Sequence, residues 1–149
     1  FPSAIFSRVS TGTVGNGGDI SIDAGSFSLR SGAELTASNY GKGDAGNVIL
    51  RAKDTISLDN NAYILSILGI GSVGKSGNID INANSLSLVD GAQLITSTYG
   101  IGSAGNVTVR AKDAVSLEGN AYILSTVEAG GVGKGGNIDI NANLLSLTD

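Results

Sequence analysis

Hydrophobic positions in this chain alternate with polar ones in short bursts, and the bursts recur. From Gly18 the sequence runs Ile20-x-Ile22-x-Ala24, then Phe27-Ser28-Leu29, then Ala33-x-Leu35-x-Ala37. The next burst places Val48, Leu50, Ala52, Ile56, Leu58, Ala62, Ile64 and Ser66 in the same slots. A period of two sends successive side chains to opposite faces of a strand. Each unit therefore predicts three short strands, parted by corners of small residues. No segment carries an apolar stripe at i, i+3, i+4, i+7 of helix length, so no helix is expected.

The units form a repeat of 59 residues. Residues 18–76 match 77–135 at 34 of 59 positions. Each long repeat splits into two units, opened by Gly18, Gly46, Gly77, Gly105 and Gly136 at spacings of 28, 31, 28 and 31. The three extra residues divide as one at the first corner and two in the long loop. Residues 1–17 align with 119–135 and read as the tail of a preceding 31-residue unit. The whole chain, 1–149, thus reads as one solenoid segment of a longer repeat protein.

One unit cannot bury three apolar strand faces by itself. Stacking solves this, because each coil lays its strands beside those of the next, about 4.8 Å away. The expectation is an all-β parallel β-helix of about five coils, roughly 24 Å tall. Two polar ladders follow from the slots. Asn47, Asn78, Asn106 and Asn137, with Asp19, follow the opening glycines. Their side chains can hydrogen-bond from coil to coil, and Asn tolerates left-handed turns. Ser28, Ser57, Ser87, Ser116 and Ser146 share an outward slot on the second strand. Another outward slot runs Asp23, Arg51, Asn82, Arg110, Asn141, which keeps arginines from stacking on each other.

Composition narrows the chemistry. The chain has 23 Gly but 1 Pro, and no Cys, Met, Trp or His. Without Cys there is no disulfide framework or thiolate metal site, and without His the commonest general base and metal ligand is missing. A net charge of −4 argues against nucleic acid as a partner. No apolar run reaches transmembrane length, and the N-terminus lacks the regions of a signal peptide. The abrupt start suggests an internal piece.

The pattern G-[DN]-[IV]-x-[IVL]-x-A, then [FLIV]-S-L, G-A-x-L-x-[ST] and Y-G-x-G-x-A-G-N-V-x-[VL], is carried by residues 18–50 and 77–109. It resembles the repeats of filamentous haemagglutinin-like exoproteins, particularly large cyanobacterial ones. The resemblance implies a right-handed β-helix, secreted by a two-partner system through an outer-membrane barrel. It further implies a place on the outer surface of a Gram-negative-type bacterium and roles in adhesion, aggregation or fibre formation. Self-association, end to end or lateral, and cell-surface glycans are the partners expected.

Several motifs compete with that structural role. GIGSVGKS at 69–76 fits the phosphate-binding G-x-x-x-x-G-K-[ST] at every position. A true phosphate loop opens a helix, yet a strand-like run follows here, and the sibling octets EAGGVGKG and STGTVGNG lose the pattern. The octet reads as a glycine turn with Val73 tucked beneath it, as with Val14 and Val132, and no nucleotide is expected. GKGDAG, GIGSVG and GIGSAG match a dinucleotide motif and fail for the same want of a helix.

Asp80 and Asp139 share an outward slot two coils apart, about 9.6 Å, near the upper end of an inverting glycosidase pair. No aromatic platform converges on them, so a polysaccharide-binding or polysaccharide-cleaving β-helix is the alternative reading rather than the main one. Calcium repeats need charged oxygen ligands, but the Asp19 slot becomes Asn in every later unit. No metal, cofactor or catalytic residue is expected. The threonines form no regular array of the ice-binding kind.

One outward stripe stands apart. Phe6, Tyr63, Leu65, Ile67, Ile95, Tyr122 and Leu124 lie beside the inward residues of the third strand, which puts them outside. Either the long loops at 67–76 and 126–135 fold back over them, or they form a lateral contact surface.

Overall fold

The computed structural model describes residues 2–149. The first coil holds β1 (Ala4–Val9), β2 (Ile20–Ala24) and β3 (Phe27–Arg30). The second holds β4 (Glu34–Asn39), β5 (Val48–Ala52) and β6 (Thr55–Asp59), and the third β7 (Tyr63–Leu68), β8 (Ile79–Ala83) and β9 (Ser85–Val89). The fourth holds β10 (Gln93–Thr98), β11 (Val107–Ala111) and β12 (Ala114–Glu118). The fifth holds β13 (Tyr122–Val127), β14 (Ile138–Asn141) and β15 (Leu144–Thr148). Three five-stranded sheets result, ordered β1-β4-β7-β10-β13, β2-β5-β8-β11-β14 and β3-β6-β9-β12-β15. Every pairing is parallel. The chain is a parallel β-solenoid of about five turns with about 30 residues per turn.

Register keeps like on like. Leu35, Ile64, Leu94 and Ile123 stack in one column, and Ile22, Leu50, Ile81, Val109 and Ile140 in another. The three inward faces converge on one core in which Leu50, Leu58, Ile64, Ile81, Leu88 and Leu94 are buried. Each such side chain contributes about 1.5–3 kcal/mol through burial. A slip of one residue would turn a whole strand's apolar set to water, which fixes the register.

The opening glycines have a steric reason. A Cβ on Gly77 would lie 2.1 Å from the carbonyl oxygen of Gly46, and one on Gly105 would lie 2.0 Å from that of Gly77. The coils can approach only because this column has no side chains. Inside, Ser66 Oγ accepts from the Gly77 N–H at 2.8 Å and donates to the Gly46 carbonyl at 3.0 Å. Ser125 repeats the device with the Gly136 N–H and the Gly105 carbonyl, both at 2.8 Å.

The asparagine ladder exists, with different chemistry from the one expected. Asp19, Asn47, Asn78 and Asn106 each accept, through Oδ1, the backbone N–H of the next residue in the column, at 2.7–2.8 Å. The main bond runs from backbone N–H to side-chain oxygen, because the strand spacing brings each N–H over the amide below, and only Asn47 adds a side-chain bond, Nδ2 to Asp19 Oδ1 at 3.0 Å. Nor do these residues supply the left-handed geometry. That belongs to Ser31, Asn60, Asn61, Asp90 and Asn120, at the corner between the third strand of one coil and the first of the next. The serine ladder Ser28, Ser57, Ser87, Ser116, Ser146 is in register on the outer face.

The valines of the long loops are not tucked under them. Val14 is 83% exposed, Val73 45% and Val132 63%. They stack outward in single bridges, Val14 on Lys42, Lys42 on Val73, Val73 on Ile101 and Ile101 on Val132. The next residues, Gly15, Gly43, Gly74 and Gly102, have φ between +130° and +156°. At Gly43, Gly74 and Gly102 a Cβ would meet the backbone of the coil before. In the octet 69–76 the inward place is taken by Ser72, buried with its hydroxyl on the Asn39 carbonyl at 3.3 Å, so Val73 beside it faces out.

Candidate functional site

The outward face of the sheet β1-β4-β7-β10-β13 forms a groove of about 400 Å³ that runs along the stack. Its floor is one outward column, Phe6, Thr36, Leu65, Ile95, Leu124, with Arg8, Ile67 and Ser97 beside it. One wall is the column Glu34, Tyr63, Gln93, Tyr122. The other stands just past the strand ends. There Tyr40, Gly69, Tyr99 and Glu128 each donate a backbone N–H to the coil before, at 2.8–2.9 Å.

All seven residues of the apolar stripe, Phe6, Tyr63, Leu65, Ile67, Ile95, Tyr122 and Leu124, line this groove. The long loops do not cover it. They stack on one another at their own corner, and of their residues past the strands only Glu128 joins the lining. Reasoning from the strand pattern missed Arg8, Tyr40, Tyr99 and Glu128. The strand period predicts faces only within strands, and three of these lie beyond strand ends. The available signal was Tyr-Gly at 40–41 and again at 99–100, one long repeat apart.

Charged and polar groups are set among the apolar residues of the groove. The Arg8 guanidinium lies 5.4 Å from the ring centres of both Phe6 and Tyr40, in cation–π range. The neighbouring Glu34 carboxylate, as acceptor first, then burial and then its charge, raises the Tyr63 phenol above the ordinary value. Burial raises that of Tyr99, followed by the charges of Glu128 and neighbouring tyrosines. Under the floor, the hydroxyls of Thr36, Ser38 and Ser97 are buried with no hydrogen-bond partner among the described residues.

The other candidates are structurally occupied. In the octet 69–76, N–H groups that a phosphate would need are already spent. Gly74 donates to the Ile101 carbonyl, Lys75 to the Asp44 carboxylate and Ser76 to the Ser103 carbonyl. Strand β8 follows, where a phosphate loop would open a helix. Asp80 and Asp139 flank Thr108 in one outward column, as the repeat dictates. Asp19 serves the ladder, accepting from Asn47 N and Nδ2 at 2.7 and 3.0 Å. Among the described residues, no three His, Cys, Asp or Glu gather as metal ligands.

Fold and groove together define a repeat solenoid with a tyrosine-walled trough on one flank. No family model, no curated protein and no solved structure matches the chain.

Proposed function

We propose that this chain is a structural and adhesive rod segment of a secreted, filamentous haemagglutinin-like surface protein. Delivery is through an outer-membrane barrel of the two-partner type, in keeping with the resemblance of its repeats. The observation that carries the reading is how the chain divides its residues. Positions held constant between repeats, such as the opening glycines and the asparagine column, are those the stacking uses. Outward positions such as Asp23, Arg51 and Asn82 change from coil to coil. A chain arranged this way adds length coil by coil and leaves its surface open for contacts.

The stack also offers its ends. Strands β1–β3 and β13–β15 each pair on one side only, and Ile138, Leu144, Leu145 and Leu147 are exposed at the second end. Unpaired parallel edges over apolar columns template further coils, from the same chain or another copy. Sedimentation velocity and negative-stain microscopy of the purified chain test this. Concentration-dependent rods with the cross-section of one solenoid are expected, and a monomer stable at high concentration refutes the rod reading.

A further inference from the structure

The chain has four tyrosines, Tyr40, Tyr63, Tyr99 and Tyr122, and all four line the groove. The second to fifth coils contribute one each, and successive tyrosines change walls. Tyr40 and Tyr99 stand on one side, Tyr63 and Tyr122 on the other. Steps along the axis are therefore one coil between walls and two coils within a wall, about 4.8 and 9.6 Å. Opposite the rings stand flat polar groups. Glu34 is across the floor from Tyr40, Gln93 from Tyr99, and Glu128 from Tyr122. In the third coil the place opposite Tyr63 is Gly69, and the ring of Tyr40 lies against it, where a Cβ would be 2.3 Å from Cδ1.

From this we infer that the groove binds an unbranched, neutral β-1,4-linked glycan lying along the solenoid axis. In such a chain each sugar is turned over relative to the last, so the polymer has a two-fold screw. Its rise per sugar is close to one coil spacing, and its disaccharide repeat is close to two. Each ring has an apolar face to lie on a tyrosine and a hydroxyl edge for the carboxylate or amide opposite. When the next sugar turns over, the groove turns over with it.

Other occupants fit less well. An extended peptide repeats every two residues, about 6.8 Å, and falls out of step with the tyrosines at once. A second copy would set concave groove against concave groove and bring Glu34 and Glu128 against carboxylates of their own kind. The charged lining is Arg8, Glu34 and Glu128, a net negative set that repels polyanionic glycans. Glu34 and Glu128 lie three coils apart, roughly 14 Å, beyond the about 6.5–9.5 Å of an inverting pair. The groove holds the chain and does not cut it. The inference rests on the adhesive half of the reading above for its setting, since a surface rod would meet such polymers in walls and biofilm.

The chain has no tryptophan, so its tyrosine emission reports on this groove alone. The test is to titrate the purified chain with cellohexaose, chitohexaose, maltohexaose and heparin hexasaccharide. A saturable change with at least one β-1,4 hexaose is expected, with affinity for maltohexaose and heparin about tenfold weaker or worse. Tyr63→Ala and Tyr99→Ala should each weaken binding about tenfold, and Tyr63→Phe should keep most of it. Circular dichroism checks each fold, and Gln93→Ala replaces any alanine variant that loses its strand signal. The inference is overturned if the folded chain ignores both β-1,4 hexaoses, binds maltohexaose as well, or binds unchanged after folded substitutions. Those results leave the rod reading intact, because that reading stands or falls by sedimentation.

Discussion

Replacing Gly77 by alanine tests whether coil stacking depends on a column without side chains. The added Cβ would sit 2.1 Å from the Gly46 oxygen, 2.5 Å from its carbonyl carbon and 2.9 Å from Asn47 N. All three are backbone atoms, so no side chain can swing aside. The coils must part locally, and two bonds lie on the same joint. These are Gly77 N–H to Ser66 Oγ and Asn78 N–H to Asn47 Oδ1, each 2.8 Å. Overpacking costs about 1–3 kcal/mol and two hydrogen bonds about 1 kcal/mol each. The joint between the units opened by Gly46 and Gly77 should therefore weaken by about 3–5 kcal/mol. In a solenoid whose stability sums over neighbouring interfaces, that loss also divides the stack. Urea denaturation followed by far-UV circular dichroism should show a lower midpoint and a broadened or split transition. Gly25→Ala is the control, since its Cβ meets nothing within 4 Å and its φ is not left-handed. It should be neutral or stabilise by up to about 1 kcal/mol. A Gly77→Ala midpoint equal to that of the parent chain, or equal damage from Gly25→Ala, would refute the steric account.

Ser66→Ala leaves the Gly77 N–H and Gly46 carbonyl unpaired inside the stack, so a loss of about 2 kcal/mol in urea denaturation is expected. Leu58 is buried whereas Leu147 is exposed, so Leu58→Ala should cost about 2–5 kcal/mol and Leu147→Ala under about 1. The raised phenols of Tyr63 and Tyr99 mean that the fold favours their neutral form. Their contribution is complete below the ordinary value of 10.0 and is lost as pH rises through the folded values, so stability should fall on the alkaline side. Glu34→Gln weakens the acceptor that chiefly holds Tyr63 up and removes its charge, and ultraviolet titration should then show one phenol ionising at lower pH.

The fold was legible because its causes are local and repeated. Alternation at Ile20, Ile22 and Ala24 fixes a strand face, and the return of those slots 28 or 31 residues later fixes what lies beside it. The groove was half legible for the same reason. Leu65 and Ile95 lie inside strands, so the period gives their direction. Tyr40 and Tyr99 lie past strand ends, where direction depends on how the corner packs. The Val73 error has a related origin. Apolar character suggested burial, but Ser72 takes the inward place and Val73 beside it faces out.

The repeat unit of this protein is two coils, not one, and that bears on function. Coils alone would give a column of identical side chains every 4.8 Å or so, as the serine ladder does. Alternating two kinds of coil doubles the period and sets Tyr63 over Gln93 and Gln93 over Tyr122. The second wall is out of phase with the first, because its tyrosines belong to the other kind of coil. Stacking rings and hydrogen-bonding groups therefore alternate both along the groove and across it. The glycine and asparagine columns that seat coil on coil ignore the difference between coils. The doubled period is thus free for the surface to use, and the phosphate-like octet at 69–76 is a by-product of the same doubling: Lys75-Ser76 closes only the longer kind of coil, just before Gly77 opens the shorter.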